Sequence, residues 1–101
     1  MEFTFDIETI KAFCRNRRIR EFALFGSAVT GQMRPDSDVD VVLDFDPNSR
    51  HTLFDLVDMQ EELENIFGRR VDIVTRKSLQ RMRNRIRKAG IEATIRTIHA
   101  A

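Results

Sequence analysis

Two aspartates on one predicted strand, Asp38 and Asp40, are spaced in a way that suggests chemistry. Residues i and i+2 of a strand point to the same face, about 6.6 Å apart along it. Carboxylates placed in this way can share one or two hard cations such as Mg²⁺, which prefers oxygen ligands and would offset their repulsion. A solvated acidic face on a half-buried strand explains the pair as well as a metal site does, and it explains Asp44 and Asp46 better.

A glycine and a serine, Gly26-Ser27, leave another predicted strand and open a short helix or turn. Glycine lets a ligand approach the backbone closely, because it has no side chain. The N–H groups of a helix N-terminus carry partial positive charge, which suits a phosphate, and Ser27 could add a hydroxyl donor. Taken alone, the pair is also typical of a tight turn with a serine cap.

A third aspartate, Asp72, lies between Val71 and Ile73 on a later predicted strand, so it faces away from both. If that strand neighbours the one with Asp38 and Asp40, three carboxylates converge. Three carboxylates around two metal ions about 4 Å apart form the arrangement used for in-line phosphoryl or nucleotidyl transfer. The three aspartates therefore predict a nucleotide-processing metal site.

A calcium-binding EF-hand is the competing interpretation of the acidic stretch. Asp36, Asp38 and Asp40 have the spacing of its first three ligands. The loop also needs glycine at its sixth position and glutamate at its twelfth, because the glycine makes the turn and the glutamate binds calcium with both oxygens. Val41 and Pro47 occupy those positions here, so the EF-hand is rejected.

The hydrophobic pattern predicts the elements that must position these residues. It indicates strands over 19–25, 38–46 and 70–74, and a helix that ends at Gly68. It also indicates a first helix from about Asp6 to Asn16, an Arg-rich helix with the apolar stripe Leu79, Met82 and Ile86, and a last short helix containing Ile91, Ile95 and Ile98. This α-β-(α)-β-α-β-α order predicts one α/β domain over residues 1–101, with a small sheet packed by helices.

Composition narrows the setting of this domain. Of its 101 residues, 42% are hydrophobic and 33% are charged, which describes a globular chain. No apolar stretch approaches the roughly 20 residues of a membrane span, and the N-terminus lacks the pattern of a secretory signal. Cys14 is the only cysteine, so no intrachain disulfide can form. We expect a cytoplasmic protein without membrane contact and with one buried or incidental thiol.

Charge is strongly segregated along the chain, although the net charge is only +1. Residues 36–64 contain ten acids and a single base, Arg50, whereas residues 69–88 contain nine bases and a single acid, Asp72. The acidic part could hold cations, and the basic part could hold phosphate, nucleic acid or an acidic partner. Solvated helix faces that pair with each other explain most of these charges equally well, so the role of the basic segment Arg81–Lys88 stays open.

Together these motifs resemble the minimal nucleotidyltransferases of the DNA polymerase beta superfamily. That pattern is Gly-Ser, about ten residues, Asp-x-Asp, and a third acid on a later strand, and Gly26-Ser27, Asp38-Val39-Asp40 and Asp72 match it. The resemblance implies a mixed three-stranded sheet, catalytic and metal-binding roles for the three aspartates, and nucleotide binding at Gly26 and Ser27. It also implies ATP as substrate and Mg²⁺ as cofactor, with two ions expected.

Free-standing members of this size resemble antitoxins paired with a helical HEPN-type ribonuclease toxin, in which AMP passes to a tyrosine of the toxin. Nucleic acid is not required for that reaction. This chain contains no tyrosine, so a tyrosyl acceptor would lie on another protein.

One departure from the pattern leaves other functions open. Family members often carry arginines after the Gly-Ser pair, whereas Ala28, Val29 and Thr30 stand there in this chain. Without a guanidinium there, we expect weaker binding of a triphosphate, although Arg34 or a base within 69–88 could replace it. The alternatives are an antitoxin that acts by binding alone and a nucleotidyltransferase that modifies a small molecule.

Overall fold

The computed structural model describes residues 5–100, which form one mixed four-stranded sheet with helices on both faces. Its elements, in chain order, are α1 (Ile7–Arg17), β1 (Ile19–Phe25), α2 (Ser27–Thr30), β2 (Val39–Phe45), α3 (Leu53–Phe67), β3 (Val71–Thr75), α4 (Arg76–Gln80), α5 (Arg85–Thr94) and β4 (Arg96–Ala100). The strand order is β3-β2-β1-β4. β1 is antiparallel to both neighbours, and β2 is parallel to β3. The predicted α/β fold is confirmed, with one strand more than expected.

Capping residues set the ends of the longer helices. The Asp6 carboxylate accepts a hydrogen bond from the Glu8 N–H at 3.0 Å and starts α1 one residue after the predicted position. Thr52 and Asp55 form a reciprocal capping box at the start of α3. Gly68 ends α3 in the left-handed conformation with φ 68°, as its position predicts. No helix within residues 5–100 has the length and hydropathy needed to cross a bilayer.

The larger of two hydrophobic cores, called the large core here, lies between the sheet and helices α1 and α3. Alternate strand residues face it, and on β2 these are Val39, Val41 and Leu43. Cys14 is fully buried in this core, and burial raises the pKa of its thiol to about 12. The buried members are Ile10, Phe13, Cys14, Ile19, Phe22, Leu24, Met33, Val39, Val41, Leu43, Met59, Leu63 and Val71.

The opposite face of the sheet carries the small core, which α4 and α5 cover. The strand residues between those of the large core supply most of it, because successive side chains of a strand point to opposite faces. Its buried members are Ala23, Phe25, Val42, Val74, Leu79 and Ile91. Since Asp40 and Asp72 have the same parity as Val42 and Val74, both aspartates lie on this face.

The prediction of one continuous Arg-rich helix is wrong. The segment forms α4 and α5, separated by residues 81–84. Asn84 starts the second helix by accepting a hydrogen bond from the Arg87 N–H at 3.1 Å, which breaks the helical phase between the predicted stripe residues. Leu79 is therefore buried, whereas Ile86 is 87% exposed, and Ile91 provides the apolar contact of α5.

The predicted last helix is also wrong. Ile91 belongs to α5, and the residues after Ile95 form β4, which pairs with the open edge of β1. Ile95 packs against the small core and Ile98 against the large core, because positions three apart on extended chain point to opposite faces. The same spacing of three resembles a helical repeat in sequence, and only strand pairing distinguishes the two.

Candidate active site

Three neighbouring strands bring the predicted site residues together at one end of the sheet. Asp40, the second residue of β2, pairs in register with Phe25 at the end of β1 and with Asp72 on β3. Gly26 follows Phe25 directly, so the Gly-Ser turn begins beside Asp40. The structure therefore brings together Gly26, Asp40 and Asp72, as the sequence predicts, and Asp38 lies two residues before Asp40 with the same parity.

Asp40 is the half-buried carboxylate of the group, whereas Asp38 and Asp72 are exposed. Burial is the main cause that raises the pKa of Asp40, and the charges of Asp72 and Asp38 raise it further. The cation of Arg87 acts in the opposite direction and lowers that pKa. The three carboxylates thus interact electrostatically, and ionising all of them costs free energy unless a cation is near.

Such a set of oxygen donors suits a hard divalent cation in chemical type and charge. Within residues 5–100, however, no three acidic, histidine or cysteine side chains are gathered closely enough to form a metal site by themselves. Asp38 and Asp72 lie at the exposed rim of this group. The assignment of Asp38, Asp40 and Asp72 as metal ligands therefore stays a prediction.

Glycine is the residue type that fits at position 26, beside Asp40. Its φ of 69° is unfavourable for residues with a side chain, and a Cβ atom there would lie 2.7 Å from Asp40 Oδ2. Its carbonyl accepts hydrogen bonds from Val29 and Thr30 at 3.0 and 3.1 Å, which closes the first turn of α2. The glycine thus allows the carboxylate and the turn to touch.

Ser27 is the first residue of α2, and Gly26 occupies the capping position without a side-chain hydrogen bond. The serine therefore does not cap the helix. The structural interpretation of this pair, a tight turn with a serine cap, is thus correct only for the turn. Within residues 5–100 the Ser27 hydroxyl has no hydrogen-bond partner, and its side chain is half-buried. The hydroxyl remains able to donate to a bound group.

The loop that carries Asp38 is held by Arg69, which lies between α3 and β3. The guanidinium of Arg69 donates to the carbonyl of Arg34 at 2.7 Å and lies 3.4 Å from that of Ser37. The Ser37 hydroxyl accepts from the Arg34 N–H at 2.8 Å. Arg69, one of the bases that could have replaced the missing arginines, is therefore engaged in fixing this loop.

Asp44 and Asp46 lie at the opposite end of β2 and have local partners. Asp44 forms an ion pair with Arg20 at 2.5 Å. The Asp46 carboxylate accepts from the Asn48 N–H at 2.8 Å and stabilises the turn after the strand. These contacts agree with the structural interpretation of both residues.

Thr94, at the end of α5, is a site residue that the sequence analysis missed. Its Oγ1 accepts a hydrogen bond from the Gly26 N–H at 2.9 Å, and its hydroxyl proton can be donated to the Gly90 carbonyl at 3.1 Å. This contact spans 68 residues of chain, so no local pattern could have indicated it. It fixes the backbone of the Gly-Ser turn against α5.

Comparison with known proteins identifies relatives of this arrangement. The family model described as a nucleotidyltransferase domain matches residues 7–96. The protein adenylyltransferase MntA of Thermococcus cleftensis is 38% identical over 77 residues, which are 76% of this chain and 68% of that protein. A Methanocaldococcus jannaschii protein provisionally named a protein adenylyltransferase is 36% identical over 62 residues, 61% of this chain. The match spans 62% of that protein, less than two thirds of its length.

Solved structures share the fold. A chain in a crystal structure of a toxin–antitoxin with AMP-PNP superposes with a TM-score of 0.72 and 16% identity, over 95% of this chain and 74% of that one. A complex of a tri-AMPylated Shewanella oneidensis HEPN toxin with an MNT antitoxin gives a TM-score of 0.64 and 13% identity, over 94% and 70%. At these identities the likeness concerns the fold alone. The family match and the sequence relatives show that the chain belongs to the nucleotidyltransferase domain family.

Proposed function

We propose that this chain is a cytoplasmic antitoxin that transfers AMP from ATP to a tyrosine of a HEPN-type toxin. The observation that carries the proposal is the position of Asp40, which pairs in register with Asp72 on β3 and lies against Gly26 at the end of β1. Two kinds of comparison support it: the relative named protein adenylyltransferase MntA, and the complex in which a HEPN toxin carries AMP.

In this proposal Asp38, Asp40 and Asp72 hold Mg²⁺, with two ions expected. Bound there, Mg²⁺ would polarise the phosphoryl oxygens and offset their negative charge. Gly26 and Ser27 lie beside the phosphates, where the glycine allows close approach and the Ser27 hydroxyl donates a hydrogen bond. Asp72 also orients the acceptor, since its exposed carboxylate lies at the rim where a partner would enter.

The transfer itself is balanced by pyrophosphate release. The acceptor oxygen forms a bond to the α-phosphorus of ATP while the bond between that phosphorus and the bridging oxygen breaks. The hydroxyl proton passes to solvent.

A tyrosyl hydroxyl has an unperturbed pKa near 10, so its reactive phenolate is scarce at neutral pH. We expect the transfer rate to rise as the pH approaches 9. Because this chain has no tyrosine, the modified residue lies on the partner.

A second candidate function is neutralisation of the toxin by binding alone. The observation that favours it is the stretch Ala28-Val29-Thr30, which offers no guanidinium to a triphosphate. A transfer of the nucleotide to a small molecule is the third possibility that the same site allows. Protein masses separate transfer to the partner from the other two functions, and inhibition of a bound but unmodified partner identifies neutralisation by binding.

The test incubates the purified chain with ATP and Mg²⁺, with and without the HEPN-type protein encoded beside it, and records the mass of both proteins. We expect added AMP on the partner only. The Asp38→Asn/Asp40→Asn double variant should transfer AMP at least about a hundredfold more slowly, because several kcal/mol of charge stabilisation is lost. Asp44→Asn is the matched control, since Asp44 lies on the same strand but pairs with Arg20.

Each outcome selects one function. A partner that is bound and inhibited but carries no AMP would favour neutralisation by binding. Full activity in the Asp38→Asn/Asp40→Asn variant would remove these two residues from the reaction. If the partner neither binds nor reacts, the toxin–antitoxin assignment fails.

A further inference from the structure

Helix α5 lies against the face of the sheet that carries Asp40 and Asp72. Ile91, at its centre, is 5% exposed and packs in the small core with Phe25 and Val42. Three residues later, Thr94 binds the Gly26 N–H at 2.9 Å. Two contacts therefore fix both the rotation of α5 and its position beside the Gly-Ser turn.

Arg87 lies on the same side of α5 as these two contacts. It precedes Ile91 by four residues and Thr94 by seven, which are the spacings of one helix face. The residue is exposed, so its long side chain can extend past the small core along the face of the sheet that carries Asp40 and Asp72.

The Arg87 guanidinium has no ion-pair partner among the described residues. Among residues 5–100 no carboxylate oxygen lies within the 4.0 Å of an ion pair with Arg87, whereas Arg17, Arg20 and Arg76 each have such a partner. An exposed arginine beside a group of acids adds a positive charge to a site whose other charges are negative. It is therefore available to a ligand that brings its own negative charge.

Phosphate is the ligand chemistry that fits this position. The guanidinium presents several N–H donors in a planar fork that matches phosphate oxygens. The turn after Ser27, the place at which an arginine is expected, has only Ala28, Val29 and Thr30. A triphosphate lying between the Gly-Ser turn and the aspartates would lie on the face of the sheet that α5 covers.

We infer that Arg87 binds the phosphates of the nucleoside triphosphate and replaces the arginine that is missing after Ser27. This inference rests on the proposed nucleotidyl transfer and adds a residue to its substrate site. It assigns a task to one member of the basic segment Arg81–Lys88 and leaves the others as solvated charges.

The test compares Arg87→Ala with Arg85→Ala in the full chain. Arg85 is an exposed arginine on the same helix, but residues two apart do not share a helix face, so the control removes the same charge from another direction. Binding of ATP with Mg²⁺ is measured by calorimetry at low salt, and adenosine, which has no phosphate, is measured by competition. Melting temperatures verify that both variants remain folded.

We expect Arg87→Ala to weaken ATP binding about tenfold to a hundredfold, the range for a charged hydrogen bond, while adenosine binding is unchanged. Arg85→Ala should change ATP binding less than threefold by the same argument, since it loses only screened surface charge. Arg87→Lys should recover part of the affinity because it keeps the charge and loses the fork. In the transfer assay, Arg87→Ala should raise KM for ATP by a larger factor than it lowers kcat.

Two results would overturn the inference in distinguishable ways. If the wild-type chain binds ATP and both alanine variants weaken it equally, Arg87 contributes only general charge and the inference is wrong, while the proposed function stands. If the wild-type chain does not bind ATP at all, the proposed function fails and the inference with it.

Discussion

The two faces of the sheet differ in how much they bury and in what they expose. Among residues 5–100, the large core between the sheet, α1 and α3 has 13 buried residues, whereas the small core beneath the short helices α4 and α5 has six. The strands contribute to both cores in alternation, so the difference comes from helix coverage. On the small-core side, burial decreases along the row of paired residues, from buried Phe25 through half-buried Asp40 to exposed Asp72. The buried apolar residues that stabilise the fold are thus concentrated on one face of the sheet. The other face exposes charged groups beside a smaller core.

If this division is correct, a cavity in the large core should have the largest effect on stability. Phe22 is fully buried on β1 and packs edge-to-face against Phe13. We expect Phe22→Ala to lower the free energy of unfolding by about 3–5 kcal/mol, because the transfer free energy of the ring is lost and a cavity remains. Chemical denaturation measures this change.

The matched control for this prediction is Phe54→Ala, which removes a phenylalanine that is 83% exposed at the start of α3. It should change stability by less than about 0.5 kcal/mol. Equal effects of the two substitutions would contradict the assignment of the large core as the main source of stability.

A smaller effect is expected where the Gly-Ser turn touches Asp40. Gly26→Ala places a Cβ atom 2.7 Å from Asp40 Oδ2 and keeps an unfavourable positive φ. We expect a loss of about 1–3 kcal/mol in stability together with loss of nucleotide transfer. Gly31→Ala is the matched control, since Gly31 has φ 79° but no atom within 4 Å of the added Cβ.

The difference between the two glycine variants isolates the contact with Asp40. Gly31→Ala should cost only the strain of the left-handed conformation, about 1 kcal/mol, and should retain nucleotide transfer. A Gly26→Ala protein that is as active as the Gly31→Ala protein would show that close contact between the turn and Asp40 is not needed.

The smallest effect, and one of opposite sign, is expected on removing the charge of Asp40. Burial and the neighbouring acids raise the pKa of Asp40 in the folded chain above its value in the unfolded chain. Its ionised form therefore destabilises the fold at pH values above the folded pKa. Asp40→Asn should raise metal-free stability at pH 7 by up to about 1 kcal/mol, since solvent screens a half-buried group.

The pH dependence verifies the sign of that effect. As the pH falls through the folded pKa of Asp40, the wild-type carboxyl takes up a proton and its repulsion disappears, so the advantage of Asp40→Asn should shrink. Urea denaturation in the presence of a chelator, at pH 7 and below pH 4, measures both values. An advantage that grows as the pH falls would contradict the raised pKa.

Parts of the fold followed from patterns within a few residues. The hydrophobic pattern predicted β2 as a strand, and Asp6 and Gly68 marked the ends of helices, because side-chain direction and capping depend on close neighbours in the chain. The same kind of reasoning failed at Ile86 and Ile98, where an apolar spacing of three or four fits a helix, a loop or a strand.

The sequence by itself determined the residue types of the candidate site: a glycine before a serine, two aspartates of equal parity, and a third acid between apolar neighbours. Only the tertiary structure decided that Asp40 and Asp72 are partners in register, that β4 extends the sheet, and that α5 brings Thr94 to the Gly-Ser turn. The reason is physical. Strand register and helix placement depend on packing and hydrogen bonds between residues tens of positions apart, and such contacts leave no periodic signal in the local sequence.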